Sequence, residues 1–179
     1  MKKIIILLLI LVSLNSCESF DKEQVVRYQN KYTLSIPDYL TKATNLNDEA
    51  SLQYMNGSKE FYVIVIDESK SELNKALVDN NLTEQYEDNI QGYANLLIDG
   101  FEATLKSPKK SKIIDTVINK LPARLLTFTG TVEGIDAFYT IAFIEGKETY
   151  YQIMSWTLMS KQDEYKEKMS KIMYSFKEL

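Results

Sequence analysis

The sequence contains no histidine and a single cysteine, Cys17. The absence of histidine excludes Ser-His-Asp and Cys-His nucleophilic sites, and it excludes every zinc site that needs an imidazole ligand. A single cysteine cannot form a disulfide within the chain. These absences exclude most hydrolase mechanisms. We expect no cofactor and no metal.

Positive charge is not in excess, because 21 Lys and Arg residues face 25 Asp and Glu residues, for a formal net charge of −4. Nucleic-acid-binding domains favour a basic footprint, so we do not expect nucleic acid as a partner. The chain shows no internal repeat and no low-complexity segment. Its length fits one globular domain.

The only long hydrophobic run lies at the amino end. Lys2 and Lys3 precede an apolar stretch from Ile4 to Val12, the order of charges and apolar residues in a secretory signal. The stretch is too short to span a membrane, because a helix needs about 20 residues to cross about 30 Å of hydrocarbon. We predict that residues 1–16 form a signal peptide.

The segment Leu14-Asn15-Ser16-Cys17 resembles the lipobox of bacterial lipoproteins, with Asn15 departing from the usual small or aliphatic residue. The resemblance implies cleavage before Cys17 and acylation of that residue. About two acyl chains suffice for stable anchoring, and lipidation would spare a lone exported thiol from oxidation. We expect attachment to a cell-envelope membrane, the outer rather than the inner, with the domain periplasmic or surface-exposed. The alternative is an ordinary signal peptide with an incidental cysteine.

Residues 17–30 are mostly polar, and we predict that they carry the lipid and form a tether to a single domain over residues 31–179. Within that domain, Tyr32–Ile36 alternates as a strand and stops at Pro37. Asn56-Gly57 predicts a hairpin. Its second strand, Phe61–Ile66, is apolar on both faces and should be central, with helices above and below the sheet.

Caps and apolar periodicity predict three helices. The first runs from a Ser69 cap to about residue 78, the second from Glu84 to Leu105 with Pro108 ending it, and the third starts at a Ser160 cap. Between the last two helices, short turns join four strands that must be antiparallel. These strands cover residues 112–118, 123–132, 135–144 and 149–158, with turns at Leu121-Pro122, Glu133-Gly134 and residues 145–147.

This order of elements resembles the PsbP/Mog superfamily, and within it the DcrB-like bacterial lipoproteins. The resemblance is carried by Tyr32–Pro37, Phe61–Ile66, Leu121-Pro122-Ala123, the strand pair from Ala137 to Trp156, and Met173–Phe176. It implies an α+β fold, a three-layer α/β/α sandwich with a mainly antiparallel central sheet. It implies no activity, because relatives include a photosynthetic subunit and a GTPase-binding factor.

Several groups of side chains are candidates for function. A basic cluster could bind membrane phosphates or an acidic glycan, although ordinary solvation of a loop is the simpler interpretation; it comprises Lys106, Lys109, Lys110 and Lys112. Carboxylates near strand ends could act as an acid–base pair or bind calcium, although solvated turns are the simpler interpretation; they are Asp67, Glu68, Glu133, Asp136, Glu145 and Glu148.

Aromatic residues on adjacent strands could form a binding platform, although coverage of both sheet faces favours packing in the core; they are Phe138, Tyr139, Tyr150, Tyr151 and Trp156. Residues 107–110 fit the S-x-x-K pattern of serine acylases without its partner motifs. Asp115-Thr116-Val117 resembles an O-glycosylation acceptor. Neither short pattern is specific.

The sequence therefore predicts a non-enzymatic, lipid-anchored envelope protein that serves binding or assembly with a protein partner. One alternative is a carrier of a small ligand or glycan, with a pocket between sheet and helices. A third is an enzyme that uses only carboxylates, lysines or tyrosines.

Overall fold

A computed structural model describes residues 22–179, so the predicted signal peptide, the lipobox and Cys17 lie outside the described residues. In chain order the elements are β1 (Glu23–Tyr28), β2 (Tyr32–Pro37), β3 (Thr41–Lys42), β4 (Leu52–Asn56), β5 (Phe61–Ser69), α1 (Lys70–Asp79), α2 (Ile90–Thr104), β6 (Lys106–Lys110), β7 (Ile114–Ile118), β8 (Leu121–Val132), β9 (Ile135–Glu145), β10 (Thr149–Leu158), a 3-10 turn (Met159–Lys161), α3 (Gln162–Tyr174) and β11 (Lys177–Glu178).

An eight-stranded antiparallel sheet forms the middle layer, in the order β3-β4-β5-β10-β9-β8-β6, and β7 pairs with another stretch of β8. The predicted hairpin joins β4 to β5, and β5 lies between β4 and β10. Val63 and Val65 face one core while Ile64 faces the other. The prediction of a central strand covered on both faces is therefore confirmed.

Two hydrophobic cores lie on opposite faces of this sheet. On one face α2 buries Tyr93 and Ile98, and α1 packs beside it through Leu73. On the other face α3 buries Met169 together with Leu34 of a small sheet in the order β1-β2-β11. This arrangement confirms the predicted three-layer α+β fold, with the small sheet sharing the outer layer of α3.

The predicted tether is wrong from Glu23 onward, because residues 23–28 form β1. Val26 is the only buried residue of this strand, at 7% exposure. Because only one face of the strand is covered, its other positions can be polar. The Gln24 side chain fixes the strand by donating to the carbonyl oxygen of Leu40 at 2.8 Å. An edge strand covered on one face therefore has the composition of a tether.

The second helix begins at Ile90 rather than at Glu84. Asn89 caps it, accepting a hydrogen bond from the Gly92 N–H at 2.9 Å, and short polar side chains of this kind favour caps over helix interiors. The preceding segment folds back over this first turn. A methyl carbon at Gly92 would lie 1.9 Å from the Glu87 carbonyl oxygen, so the segment can approach the helix this closely only because residue 92 has no side chain.

Pro108 does not end that helix, which stops at Thr104, and the proline lies within β6. The register between β6 and β8 shifts between Lys106 and Lys109. An edge strand with a register shift tolerates a residue that has no N–H to donate. A strand that was not predicted therefore carries three of the four lysines of the basic cluster.

Two smaller predictions are also wrong. The turn placed at Leu121-Pro122 lies at Asn119 and Lys120, which have φ values of 47° and 74°, and β8 begins directly afterwards. Ser160 does not cap α3 but lies in the 3-10 turn before it. The predicted apolar stripe of this last helix is confirmed for the four members that lie in α3 and are buried: Tyr165, Met169, Ile172 and Met173. Phe176 is also buried but lies beyond the end of the helix.

Candidate binding grooves

A groove of about 320 Å³ opens between α3 and the large sheet. β8 and β9 form its floor with Leu125, Phe138 and Thr140, and α3 forms one wall. We call it the α3 groove; its lining residues are Ser111, Ile114, Leu125, Leu126, Thr127, Phe138, Thr140, Gln162, Lys166, Ser170 and Tyr174. No carboxylate is among them, so this groove offers no acid–base pair.

Thr140 places a hydroxyl in the floor of the α3 groove. The residue is 5% exposed, and its Oγ1 has no hydrogen-bond partner among residues 22–179. An unpaired buried hydroxyl costs about 1–3 kcal/mol, so a group that binds here and pairs with it would be stabilised. Thr140 interrupts the apolar run of residues 137–144, a signal that the sequence analysis did not use.

Two large apolar side chains are exposed at the rim of the α3 groove. Ile114 is 58% exposed on β7, and Tyr174 is 46% exposed at the end of α3. Lys166 adds a charge at the rim, where its ammonium group donates to Asp163 at 2.8 Å. An apolar floor with an apolar rim matches a surface that another molecule covers.

A second groove, of about 200 Å³, lies where β5 begins and β10 ends. Tyr62, Trp156 and Tyr139 occupy facing positions on β5, β10 and β9. The Tyr62 and Trp156 rings stack with centroids 5.1 Å apart. We call this the aromatic groove; it is lined by Glu60, Tyr62, Val132, Glu133, Ile135, Ala137, Tyr139, Trp156, Thr157 and Leu158.

The predicted core packing of aromatic residues is confirmed for four of the five, since Phe138, Tyr139, Tyr150 and Tyr151 are buried. Trp156 is only half-buried and lines the aromatic groove.

Its neighbour Tyr62 donates to the Glu60 carboxylate at 2.7 Å, and burial together with this carboxylate raises the pKa of Tyr62 to about 12. Tyr62 is therefore neutral at physiological pH.

The basic cluster lies on an exposed edge of the large sheet. Lys106, Lys109 and Lys110 are exposed on β6, and Lys112 is exposed just beyond it. Lys110 forms an ion pair with Glu102 of α2. Lysines on an edge strand oppose pairing with another chain, which gives this cluster a structural role without any ligand.

The six candidate carboxylates are divided between opposite ends of the sheet. Glu133 and Asp136 flank the β8–β9 turn, where Asp136 accepts from Thr131 at 2.6 Å. The other four lie at the far end, in β5 or around the β9–β10 turn: Asp67, Glu68, Glu145 and Glu148.

Three carboxylates of the far end have partners within the fold. Asp67 binds Lys31 at 2.6 Å and Glu145 binds Lys70 at 2.8 Å. Glu68 accepts from the Tyr93 hydroxyl at 2.7 Å. Among residues 22–179, no group of three or more acidic, Cys or His side chains could hold a metal ion.

The two short patterns lie on exposed strands. Ser107, of the S-x-x-K pattern, is exposed on β6 with a φ of 54°. Asp115, of the O-glycosylation pattern, is exposed on β7 and accepts from Arg124 at 2.7 Å. Neither pattern contributes to the α3 groove or the aromatic groove.

Comparison with known proteins identifies the fold. No protein-family model and no curated protein matches the sequence. The solution structure of a cyanobacterial PsbP protein, CyanoP, from Synechocystis sp. PCC 6803 is similar, with a TM-score of 0.56 and 8% identity over 93% of this chain and 99% of that one. LpqN of Mycobacterium tuberculosis, described as involved in cell envelope biogenesis, is similar with a TM-score of 0.53 and 9% identity over 88% of this chain and 90% of that one.

At these identities the likeness concerns the fold and not the function. It confirms the PsbP-like resemblance inferred from the sequence, whereas membership of the DcrB-like lipoproteins stays a prediction. Within residues 22–179, no helix has the length and apolar character needed to cross a membrane. The chain has a PsbP-like fold, with one groove beneath α3 and another at the end of its large sheet.

Proposed function

We propose that this chain is a non-enzymatic binding module of the bacterial cell envelope, anchored through lipid on Cys17, and that the α3 groove receives an apolar segment of a protein partner. The amino-terminal signal and the lipobox support the location, and so does LpqN, a protein of the same fold described as involved in cell envelope biogenesis. The apolar α3 groove is the observation that carries the binding role.

A protein partner suits the α3 groove for two physical reasons. The exposed side chains of Ile114 and Tyr174 both line the groove, and binding energy in protein interfaces concentrates on such apolar and aromatic anchors. The Thr140 hydroxyl in the floor has no hydrogen-bond partner among the described residues, so a polar group of a bound segment can pair with it. Together these features favour a partner segment that is apolar with one buried polar group.

Photo-crosslinking in intact cells tests this proposal. A photoreactive residue at Tyr174 borders the groove, whereas one at Glu167 is exposed on the same helix outside the groove. We expect a discrete crosslinked protein from position 174 and none from position 167. Ser170→Trp, which fills the groove wall, should abolish the crosslink. Equal crosslinking from both positions would contradict the proposal.

The anchor is tested by fractionation. Cys17→Ala removes the acylated residue, so we expect the protein to leave the membrane fraction and appear in the soluble fraction. Mass spectrometry of the wild-type protein should show acylated Cys17 as the first residue. A wild-type protein that is soluble, or a variant that stays with the membrane, would contradict anchoring through this residue.

A small-ligand carrier is the second candidate, favoured by the size of the α3 groove. Its volume of about 320 Å³ lies at the lower end of the range of roughly 300–1,000 Å³ that is usual for small-molecule sites. Native mass spectrometry of the soluble Cys17→Ala protein distinguishes the two functions. A co-purifying small molecule that is lost in Ser170→Trp would favour the carrier.

A further inference from the structure

We propose that the end of the domain that carries the aromatic groove rests on the bilayer that holds Cys17, so that lipid covers the groove. This inference rests on the anchoring in the proposed function and adds an orientation to it. We call this the entry end, because the chain enters the fold there; it consists of residues 22, 38–41, 57–62, 132–137 and 156–161.

The point of entry is fixed by hydrogen bonds. The Lys22 carbonyl oxygen accepts from the Asp38 N–H at 2.8 Å. Tyr39, the next residue, lies beside Phe61 at the start of β5, with ring centroids 6.4 Å apart. The described chain therefore begins at the same end of the sheet as the aromatic groove, where β5 starts and β10 stops.

The number of residues between Cys17 and the first described residue limits how far this end can lie from the membrane. Only residues 18–21 separate Cys17 from Lys22. At about 3.3–3.6 Å per residue, the steps from Cys17 to Lys22 span at most roughly 18 Å. Because residues 23–28 form β1 instead of a tether, the start of β1 stays within roughly 18 Å of the lipidated residue, close enough for the entry end to reach the headgroups.

The entry end also has the side chains that favour a lipid interface. Val132, Ile135 and Met159 are 37%, 56% and 42% exposed. The first two face each other across the β8–β9 turn and line the groove that contains Trp156. Tryptophan and tyrosine are enriched where protein meets the headgroup region of a membrane, and apolar side chains below them enter the acyl boundary.

Charges at the entry end are of both signs. The basic side chains there are exposed Lys22, exposed Lys59 and half-buried Lys161, and the Lys161 ammonium group donates to the Lys59 carbonyl oxygen at 3.0 Å. The acidic side chains there are Asp38, Glu60, Glu133 and Asp136. With no excess of positive charge, docking depends on the apolar residues rather than on anionic lipid.

Trp156 is the only tryptophan of the chain and therefore reports on this contact. We would reconstitute the lipidated protein into phosphatidylethanolamine–phosphatidylglycerol vesicles with lipids brominated on their acyl chains. We expect the bromine atoms to quench most of the Trp156 emission. The double variant Ile135→Asp with Met159→Asp should float with the vesicles but lose the quenching. Val117→Asp, a matched change of a residue that is 63% exposed at the opposite end, should keep it.

The outcomes separate the two claims. Wild-type protein that floats with the vesicles while Trp156 stays unquenched would overturn the docking and leave the anchoring intact. Protein that does not float would contradict the anchoring itself. Quenching that survives in the double variant would overturn the role of this surface. A concentration-dependent dimer of Cys17→Ala protein that shields Trp156 without lipid would overturn docking in favour of a second copy.

Discussion

Gly92 shows how one missing side chain determines where a helix begins. The segment before α2 crosses its first turn so closely that a methyl carbon would lie 1.9 Å from the Glu87 carbonyl oxygen. We expect Gly92→Ala to displace this segment and to destabilise the fold by about 1–3 kcal/mol, the usual cost of overpacking. Urea unfolding measures the change.

Gly100 is the matched control, because it lies in the same helix and no atom lies within 4 Å of a methyl carbon placed there. Gly100→Ala should stabilise the protein by about 0.5–1 kcal/mol, since alanine loses less backbone entropy than glycine in a helix. If both substitutions had the same effect, the close approach at Gly92 would be disproved.

Glu178 shows how a two-residue strand can hold two layers together. Its carboxylate accepts hydrogen bonds from the Lys147 N–H at 3.2 and 3.1 Å and from the Tyr151 hydroxyl at 3.0 Å. These contacts join β11, in the small sheet, to the β9–β10 turn of the large sheet.

We expect Glu178→Ala to cost about 1.5–3 kcal/mol, the range for hydrogen bonds to a charged group. Lys177→Ala, at the exposed neighbouring position, should change the free energy of unfolding by less than about 0.5 kcal/mol, as for other surface positions. Chemical denaturation of both variants checks this difference. A loss of the same size in both would mean that β11 acts through its backbone alone.

The sequence predicts best those elements whose apolar residues recur regularly along the whole segment. The two-faced apolar run of β5 and the stripe of α3 are of this kind, because buried residues recur along both. β1 and β6 resemble polar loops in sequence, because Val26 is the only buried residue of β1 and no residue of β6 is buried.

Neither groove follows from local pattern. The α3 groove joins Thr140 of β9 to Ser170 of α3, and the aromatic groove depends on the register that aligns Tyr62 with Trp156. Strand register and the packing of layers determine both grooves, and neither property can be read from a single segment of the sequence. The aromatic residues themselves were identified, but which of them stays half-buried was not.

At the scale of the whole molecule, buried tyrosines set the alkaline limit of stability. Burial raises the pKa of Tyr150, and of Tyr62, to about 12, and burial beside Glu68 raises the pKa of Tyr93 well above its ordinary value. In the unfolded chain these hydroxyls titrate near their ordinary value of about 10. Above that pH only the unfolded state releases the proton, so unfolding becomes progressively more favourable.

We expect full stability below about pH 10 and a progressive loss from pH 10 towards 12, as the folded-state pKa values are approached. Ultraviolet absorbance of tyrosinate and circular dichroism, recorded along one titration, check this. The buried tyrosines should ionise together with loss of structure. Tyr62→Phe should make the loss shallower. Complete ionisation of every tyrosine at pH 10 with the fold intact would contradict it.

The small sheet has a consequence for the order in which the domain is completed. β2 lies between β1, which the ribosome makes early, and β11, which comes last among the described strands. While the later residues are still being synthesised, β2 has one partner, and the Tyr32 ring lacks its neighbour Phe176. The outer layer that contains the small sheet therefore closes only after the last described strand has been made.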